Sequence, residues 1–237
     1  MNKRISRQKA KNLNISYHYT DNMFELINPY VAKIAIAAED GDSVRQISKK
    51  IKESYGWTYK WISELERIGA LKRERQEIYI NKDNKFYKEL HKLVDNSLKD
   101  NLSLNDAYLL PNLAGLEYIF TNTDAIFVWT KGGYNIGRSK DSYPIFIEIL
   151  EENKKTWQNF FSGLKIGYTF KNEKRKGIYF IISLTNKIEK ERYGDIPVLP
   201  LAKTVEWAKK YSFNFQPALE MLDEMYDLKI GVKYAQA

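Results

Sequence analysis

Behind Asn28, a side chain able to cap a helix, and Pro29, whose missing N–H is harmless at a first helical position, apolar residues recur at helical spacing. They are Val31, Ile34, Ala35 and Ala38, and Gly41 predicts the end of the element. A second helix is predicted from a cap at Asp42 or Ser43 through Val44, Ile47, Ser48 and Ile51. The polar link Lys52-Glu53-Ser54-Tyr55-Gly56 suits a turn between crossed helices. A third helix, Trp57 to Ile68, turns Thr58, Ile62, Leu65 and Ile68 inward, and Gly69 supplies a left-handed cap. Ala70–Arg73 and Ile78–Ile80 then read as two short strands joined by the charged tip Glu74-Arg75-Gln76-Glu77. A helix capped by Asn81 or Asp83 runs on to about Asp100. Its Phe86, Leu90, Leu93 and Ser97 fall at heptad-like spacing, which suits packing on its own unit or a dimer seam.

From Tyr108 the texture changes. Ala125–Thr130 predicts a strand, Lys131-Gly132-Gly133 a tight turn and Tyr134–Arg138 its returning partner. Tyr143–Ile149 predicts another strand, and Glu151–Leu164 carries Trp157, Phe160, Phe161 and Leu164 at helical spacing. Lys165–Phe170 and Ile178–Leu184 predict two strands across the basic loop Lys171–Lys176. Helices are predicted over Leu201–Tyr211 and Gln216–Tyr226, with Pro217 at the start of the latter. This mixture predicts an α+β unit. The change of composition at Lys99-Asp100-Asn101-Leu102-Ser103 divides the chain into a basic arm (1–12), a helical unit with its trailing helix (13–100) and the α+β unit (103–237).

Composition then narrows the chemistry. Hydrophobic residues make up 43% and charged residues 29%, the profile of a globular protein. The longest apolar candidate, Ile178–Leu184, is far short of the roughly 20 residues that cross a bilayer, and Met1-Asn2-Lys3-Arg4 leads into polar residues, so no secretory signal is expected. The chain has no cysteine, which excludes disulfides and thiolate chemistry and suits a reducing cytoplasm. His18 and His91 are the only histidines. The net charge of +8 is uneven: residues 1–100 hold 20 Lys and Arg against 14 Asp and Glu, and residues 101–237 hold 18 against 16. A basic field attracts polyanions, and Lys3, Arg4, Arg7, Lys9 and Lys11 have the composition of an arm that tracks phosphates.

The order helix, helix, turn, helix, glycine, hairpin resembles the winged helix-turn-helix regulators of bacteria and archaea, including the MarR-like and ArsR-like groups. The residues carrying the resemblance are Ser43-Val44-Arg45-Gln46-Ile47-Ser48 and the run Trp61-Ile62-Ser63-Glu64-Leu65-Glu66-Arg67-Ile68-Gly69-Ala70-Leu71. It implies that the helix from Trp57 lies in a major groove of double-stranded DNA. With Ile62 inward, Tyr59, Ser63 and Arg67 point outward with Lys60 beside them, and Arg, Lys and Ser can all read base edges. Lys72, Arg73 and Arg75 are placed to meet the backbone or minor groove, and Arg45 completes the expected DNA-binding set. Glu64 and Glu66 on the exposed side depart from a fully basic reading helix.

Two catalytic templates bear on the second unit. A nuclease of the PD-(D/E)xK type would use Asp124 and Glu148, but position 150 is Leu where the template has Lys. A nucleotidyltransferase needs Gly-Ser and two alternating acids, whereas Arg138 separates Gly137 from Ser139 and Ile145–Ile149 holds only Glu148. No enzyme, cofactor or metal is therefore expected. The run Asp195-Ile196-Pro197-Val198-Leu199-Pro200-Leu201 before a helix is similar to antitoxins of abortive-infection systems. Those join a winged helix to a catalytically silent nucleotidyltransferase-like fold, which implies a unit that binds a partner or effector. Trp129, Tyr134, Phe146 and Trp157 are candidates to line a ligand pocket. The expectation is a cytoplasmic, homodimeric, DNA-binding transcriptional regulator whose second unit meets a small molecule or a protein. The alternatives are a nucleic-acid-processing enzyme and an antitoxin-type protein.

Overall fold

The computed structural model describes residues 28–139 and 141–231, with the backbone alone for 99–101, so the expected basic arm at 1–12 lies outside the described residues. Helix α1 (Pro29–Ala37) opens as expected on Asn28, whose Oδ1 accepts from the N–H groups of Tyr30 and Val31 at 2.9 and 3.0 Å. A short strand β1 (Asp42–Ser43) leads into α2 (Val44–Ile51). There Ser43 forms a capping box with Gln46: its Oγ accepts from the Gln46 N–H, and its own N–H donates to Gln46 Oε1. The chain turns through Lys52 in the left-handed region, and Ser54 caps α3 (Tyr55–Arg67), so Tyr55 and Gly56 belong to the helix and not to the link. Gly69, at φ +70°, releases the chain into β2 (Leu71–Glu74), which pairs antiparallel with β3 (Glu77–Ile80). β1 also pairs with β3, giving the order β1-β3-β2. Ile34, Ile47, Ile62, Leu65 and Ile78 are fully buried between these elements.

Helix α4 (Lys85–Asn101) is capped by Asn84, not by Asn81 or Asp83. Asn81 is committed elsewhere, its Nδ2 donating to the Gly69 carbonyl at 2.9 Å. The heptad row divides: Leu90 is buried beside Tyr87, while Leu93 is 53% exposed and Ser97 faces solvent. Helix α5 (Leu104–Leu113), capped by Ser103, packs on α1 and α2 through Leu110 and Leu113, so the second unit begins by covering the first.

The remaining strands form one six-stranded sheet. They are β4 (Tyr118–Phe120), β5 (Ser142–Leu150), β6 (Gly167–Thr169), β7 (Gly177–Thr185), β8 (Glu191–Tyr193) and β9 (Ile196–Val198), in the order β6-β7-β5-β4-β9-β8. β7 lies parallel to both of its neighbours, and its Tyr179, Phe180, Ile181 and Ile182 are all buried, as a strand covered on both faces requires. Helix α7 (Lys154–Gly163) packs Trp157 against Phe161, and Phe161 against Phe180 with ring centroids 4.7 Å apart.

The stretch expected as a strand, Ala125–Thr130, is instead the body of helix α6 (Asn122–Trp129), and Tyr134–Arg138 forms no strand. Lys131-Gly132-Gly133 ends this helix where a hairpin turn was expected: Gly132, at φ +81°, donates its N–H to the Phe127 carbonyl at 2.7 Å. A helix C-terminus and a tight hairpin both call for glycine with positive φ, so the same residues serve either structure. Helix α8 (Leu201–Lys210) packs on α6 and on α9 (Ser212–Tyr226), which begins four residues earlier than expected and contains Pro217 within it. The fold is mixed α+β, and no helix among the described residues is long and apolar enough to cross a membrane.

Candidate nucleic-acid interface

Four of the eight expected contact residues lie on α3, three on the β2–β3 hairpin and one, Arg45, on α2. The structure brings α3 and the hairpin together through one side chain. Arg73 leaves β2, places its guanidinium 4.7 Å from the Tyr59 ring centroid and bonds Glu66 Oε2 at 2.6 Å. Tyr59 and Glu66 thus mark the hairpin side of α3, with Ser63 half-buried and Arg67 exposed on the open face. Arg75 occupies the tip of the hairpin at φ +58°, and Arg45 is exposed on α2. Neither makes an ion pair with another described residue.

Lys60 goes the other way. Its ammonium sits 4.8 Å from the Trp57 ring and 4.7 Å from the Trp61 ring, within reach of both π faces. Trp57 and Trp61 pack against Tyr30 of α1, and Tyr55 lies 6.1 Å from Tyr59 along the helix. Sequence reasoning missed this aromatic cluster, although the spacings 57/61 and 55/59 put each pair on one helix face. The indole N–H of Trp61 is buried with no hydrogen-bond partner among the described residues. Tyr55, Trp57 and Tyr59 remain substantially exposed.

The acids on α3 are partners, not bystanders. Arg67 bonds Glu64 at 3.0 Å, and Lys72 pairs with Glu74 at 2.6 Å in addition to the Arg73–Glu66 pair. Pairs that water still reaches are worth little and can exchange a carboxylate for a phosphate. The charge of the region is correspondingly modest. Residues 28–100 hold 15 Lys and Arg against 12 Asp and Glu, and residues 1–27 hold five against two, so each contributes +3.

No family model, curated protein or solved structure matches the chain.

The surroundings of Asp124 and Glu148 differ from those of both catalytic templates. Asp124 lies in the first turn of α6, not on a strand, and is fully buried. It accepts from Tyr108 Oη and from the Phe146 N–H at 2.6 Å, and Arg138 Nη2 stands 2.9 Å away. Arg138 in turn donates through Nη1 to the hydroxyls of Tyr108 and Tyr143 at 3.1 and 3.0 Å. Burial pushes the Asp124 carboxyl up from its ordinary value, and Arg138 and the Tyr108 hydroxyl oppose it. Burial would lower Arg138, yet the facing Asp124 carboxylate raises it. Glu148 is half-buried on β5; burial raises its carboxyl against the pull of Lys203. Among the described residues, no three acidic or imidazole groups converge as a metal site would need. The expected pocket aromatics are dispersed: Trp157 is fully buried against Phe161, while Trp129 donates from its indole to the Leu199 carbonyl at 2.9 Å.

Proposed function

We propose that residues 29–80 form a winged helix-turn-helix that binds double-stranded DNA, and that the protein is a sequence-specific transcriptional regulator. One observation carries the reading: Arg73 ties the hairpin to α3, so the exposed faces of both form one surface bearing Tyr59, Ser63, Arg67 and Arg75. The order β1-β3-β2 beside three helices supports it as the arrangement of a winged helix. In this reading α3 enters the major groove, Ser63 and Arg67 meet base edges, and Arg45, Lys72, Arg73 and Arg75 meet phosphates. Lys60, held over Trp57 and Trp61, contacts the groove wall. The protein acts as a homodimer, since a two-fold operator matches a two-fold protein, and the second unit receives an effector or partner. Asp124 and Glu148 have no catalytic part in it.

The test is fluorescence anisotropy with the protein's own upstream DNA and a scrambled control across a salt series. Binding about a thousandfold tighter to the first establishes specific recognition. Equal, weak and steeply salt-dependent binding to both overturns it. A second reading, an antitoxin-type protein that docks another protein through α3, is favoured by the exposed Tyr55, Trp57 and Tyr59. It predicts no DNA binding even at low salt and a stable complex with a neighbouring gene product.

A further inference from the structure

A cleft of 710 Å³ opens where the α4–α5 junction meets the β6–β7 edge of the large sheet, a volume suited to a small organic molecule. Leu102 and Leu104 form its wall at the α4–α5 junction, and Ile166 and Ile178 face it from the sheet side. The charged side chains lining it are Lys165, Lys176 and Arg138, with no carboxylate among the described lining residues. The lysines stand apart from the paired bases of α3 and the hairpin: both are exposed, and neither makes an ion pair with another described residue. Lys165 is held at φ +55° just past Leu164, the C-cap of α7, where glycine is the usual residue, and the Ile166 N–H closes that turn onto the Phe161 carbonyl at 2.9 Å. Arg138 supplies the second observation. Its side chain is 1% exposed, its Nη1 and Nη2 face Tyr108, Tyr143 and Asp124, and its buried Nε has no hydrogen-bond acceptor among the described residues. A buried donor without an acceptor is costly, and the arginine that carries it lines a cleft with two lysines that make no ion pair with another described residue.

We infer that this cleft binds a small soluble organic anion, its carboxylate or phosphate head held by Lys165 and Lys176 beside Arg138 and its apolar body laid against Leu102, Leu104 and Ile166. The inference goes beyond the DNA-binding reading and stands or falls without it, because occupancy of the cleft is measured with no DNA present.

The test uses 8-anilinonaphthalene-1-sulfonate, an anionic dye with an apolar body, titrated into the full chain and followed by fluorescence. The neutral N-phenyl-1-naphthylamine, which lacks the sulfonate, is the control. Saturable binding of the anionic dye is expected, at least tenfold tighter than the neutral one. It should weaken at least tenfold in Lys165→Gln/Lys176→Gln and return in Lys165→Arg/Lys176→Arg. Both lysines are exposed, so these variants keep the fold, which circular dichroism checks. Octanoate or octyl phosphate should displace the dye, and whichever does so at lower concentration identifies the head group. No dye binding, equal binding of both dyes, or full binding to the Gln variant overturns the inference. So does sedimentation of the protein with phosphatidylglycerol vesicles that the same Gln substitutions abolish, because the ligand would then be a lipid surface.

Discussion

Two arginine–carboxylate pairs of similar length hold opposite parts of the molecule. Arg73–Glu66, at 2.6 Å, joins the hairpin to α3 with both side chains about a quarter exposed, whereas Arg138–Asp124, at 2.9 Å, is sealed between α5, α6 and β5. In water the first pair is nearly neutral in free energy, so an incoming phosphate can take the arginine at little cost. The second has lost its hydration and depends on the Tyr108 and Tyr143 hydroxyls and the Phe146 N–H to offset that loss. The difference teaches that an ion pair's meaning lies in its solvent. One region keeps its charges exchangeable, as the proposed DNA-binding face needs; the other fixes an architecture.

The largest effect is expected from Asp124→Ala, which strands a buried guanidinium and should cost about 3–5 kcal/mol in urea unfolding. Glu66→Ala should cost under about 1 kcal/mol. Equal costs for the two would erase the contrast between the regions.

The first region also has a buried polar tie between its helices. Tyr87, on α4, donates to the Ala35 carbonyl at 3.0 Å, and burial pushes its hydroxyl up to about 12. Below pH 10 the group is protonated in both the folded and unfolded chains. Above it the unfolded chain loses the proton first, so stability falls as pH rises from about 10 to 12, by about 2–3 kcal/mol in all. Tyr87→Phe should remove that part of the alkaline loss, and unchanged steepness in the variant would show that Tyr87 titrates normally.

Third in size are the proposed DNA contacts. Arg67→Ala or Ser63→Ala should change the preferred sequence by roughly 1–3 kcal/mol per lost base contact. Arg73→Ala or Arg75→Ala should weaken all DNA about equally and reduce the salt slope by about one. If both pairs behaved alike, α3 would not be the reading element.

The smallest and most pointed change is Glu66→Gln. Freeing Arg73 from its carboxylate should tighten nonspecific DNA binding a few-fold and steepen the salt slope by up to about one phosphate contact. No change would mean that Arg73 never leaves the hairpin for a phosphate.

Near the N-terminal unit the sequence was a good guide because its signals are local. Asn28, Ser43 and Gly69 each act within four residues, and one-sided burial imposes a visible period on α1, α2 and α3. The cap of α4 moved to Asn84 because Asn81 answers a carbonyl 12 residues away, which no local pattern records. Lys60 points to Trp57 and Trp61 for a similar reason: Tyr30, on another helix, completes the aromatic cluster.

In the second unit, residues alone determined that β5 and β7 are strands and that Trp157 and Phe161 share a helix face, since short runs rich in β-branched and aromatic residues between turns, and helical spacing, survive any partner. They did not determine α6. Ala125-Ile126-Phe127-Val128-Trp129 is apolar on every side, so it carries no period, and its β-branched and aromatic residues favour a strand when nothing else is known. Tertiary structure made it a helix by enclosing Ala125, Ile126, Val128 and Trp129 together, with Asp124 bound to Phe146 and Arg138 and the Trp129 indole bound to Leu199. The buried network and the Lys165–Lys176 cleft join residues far apart in the chain. Their chemistry arises from burial, and burial is settled only when the whole chain has packed.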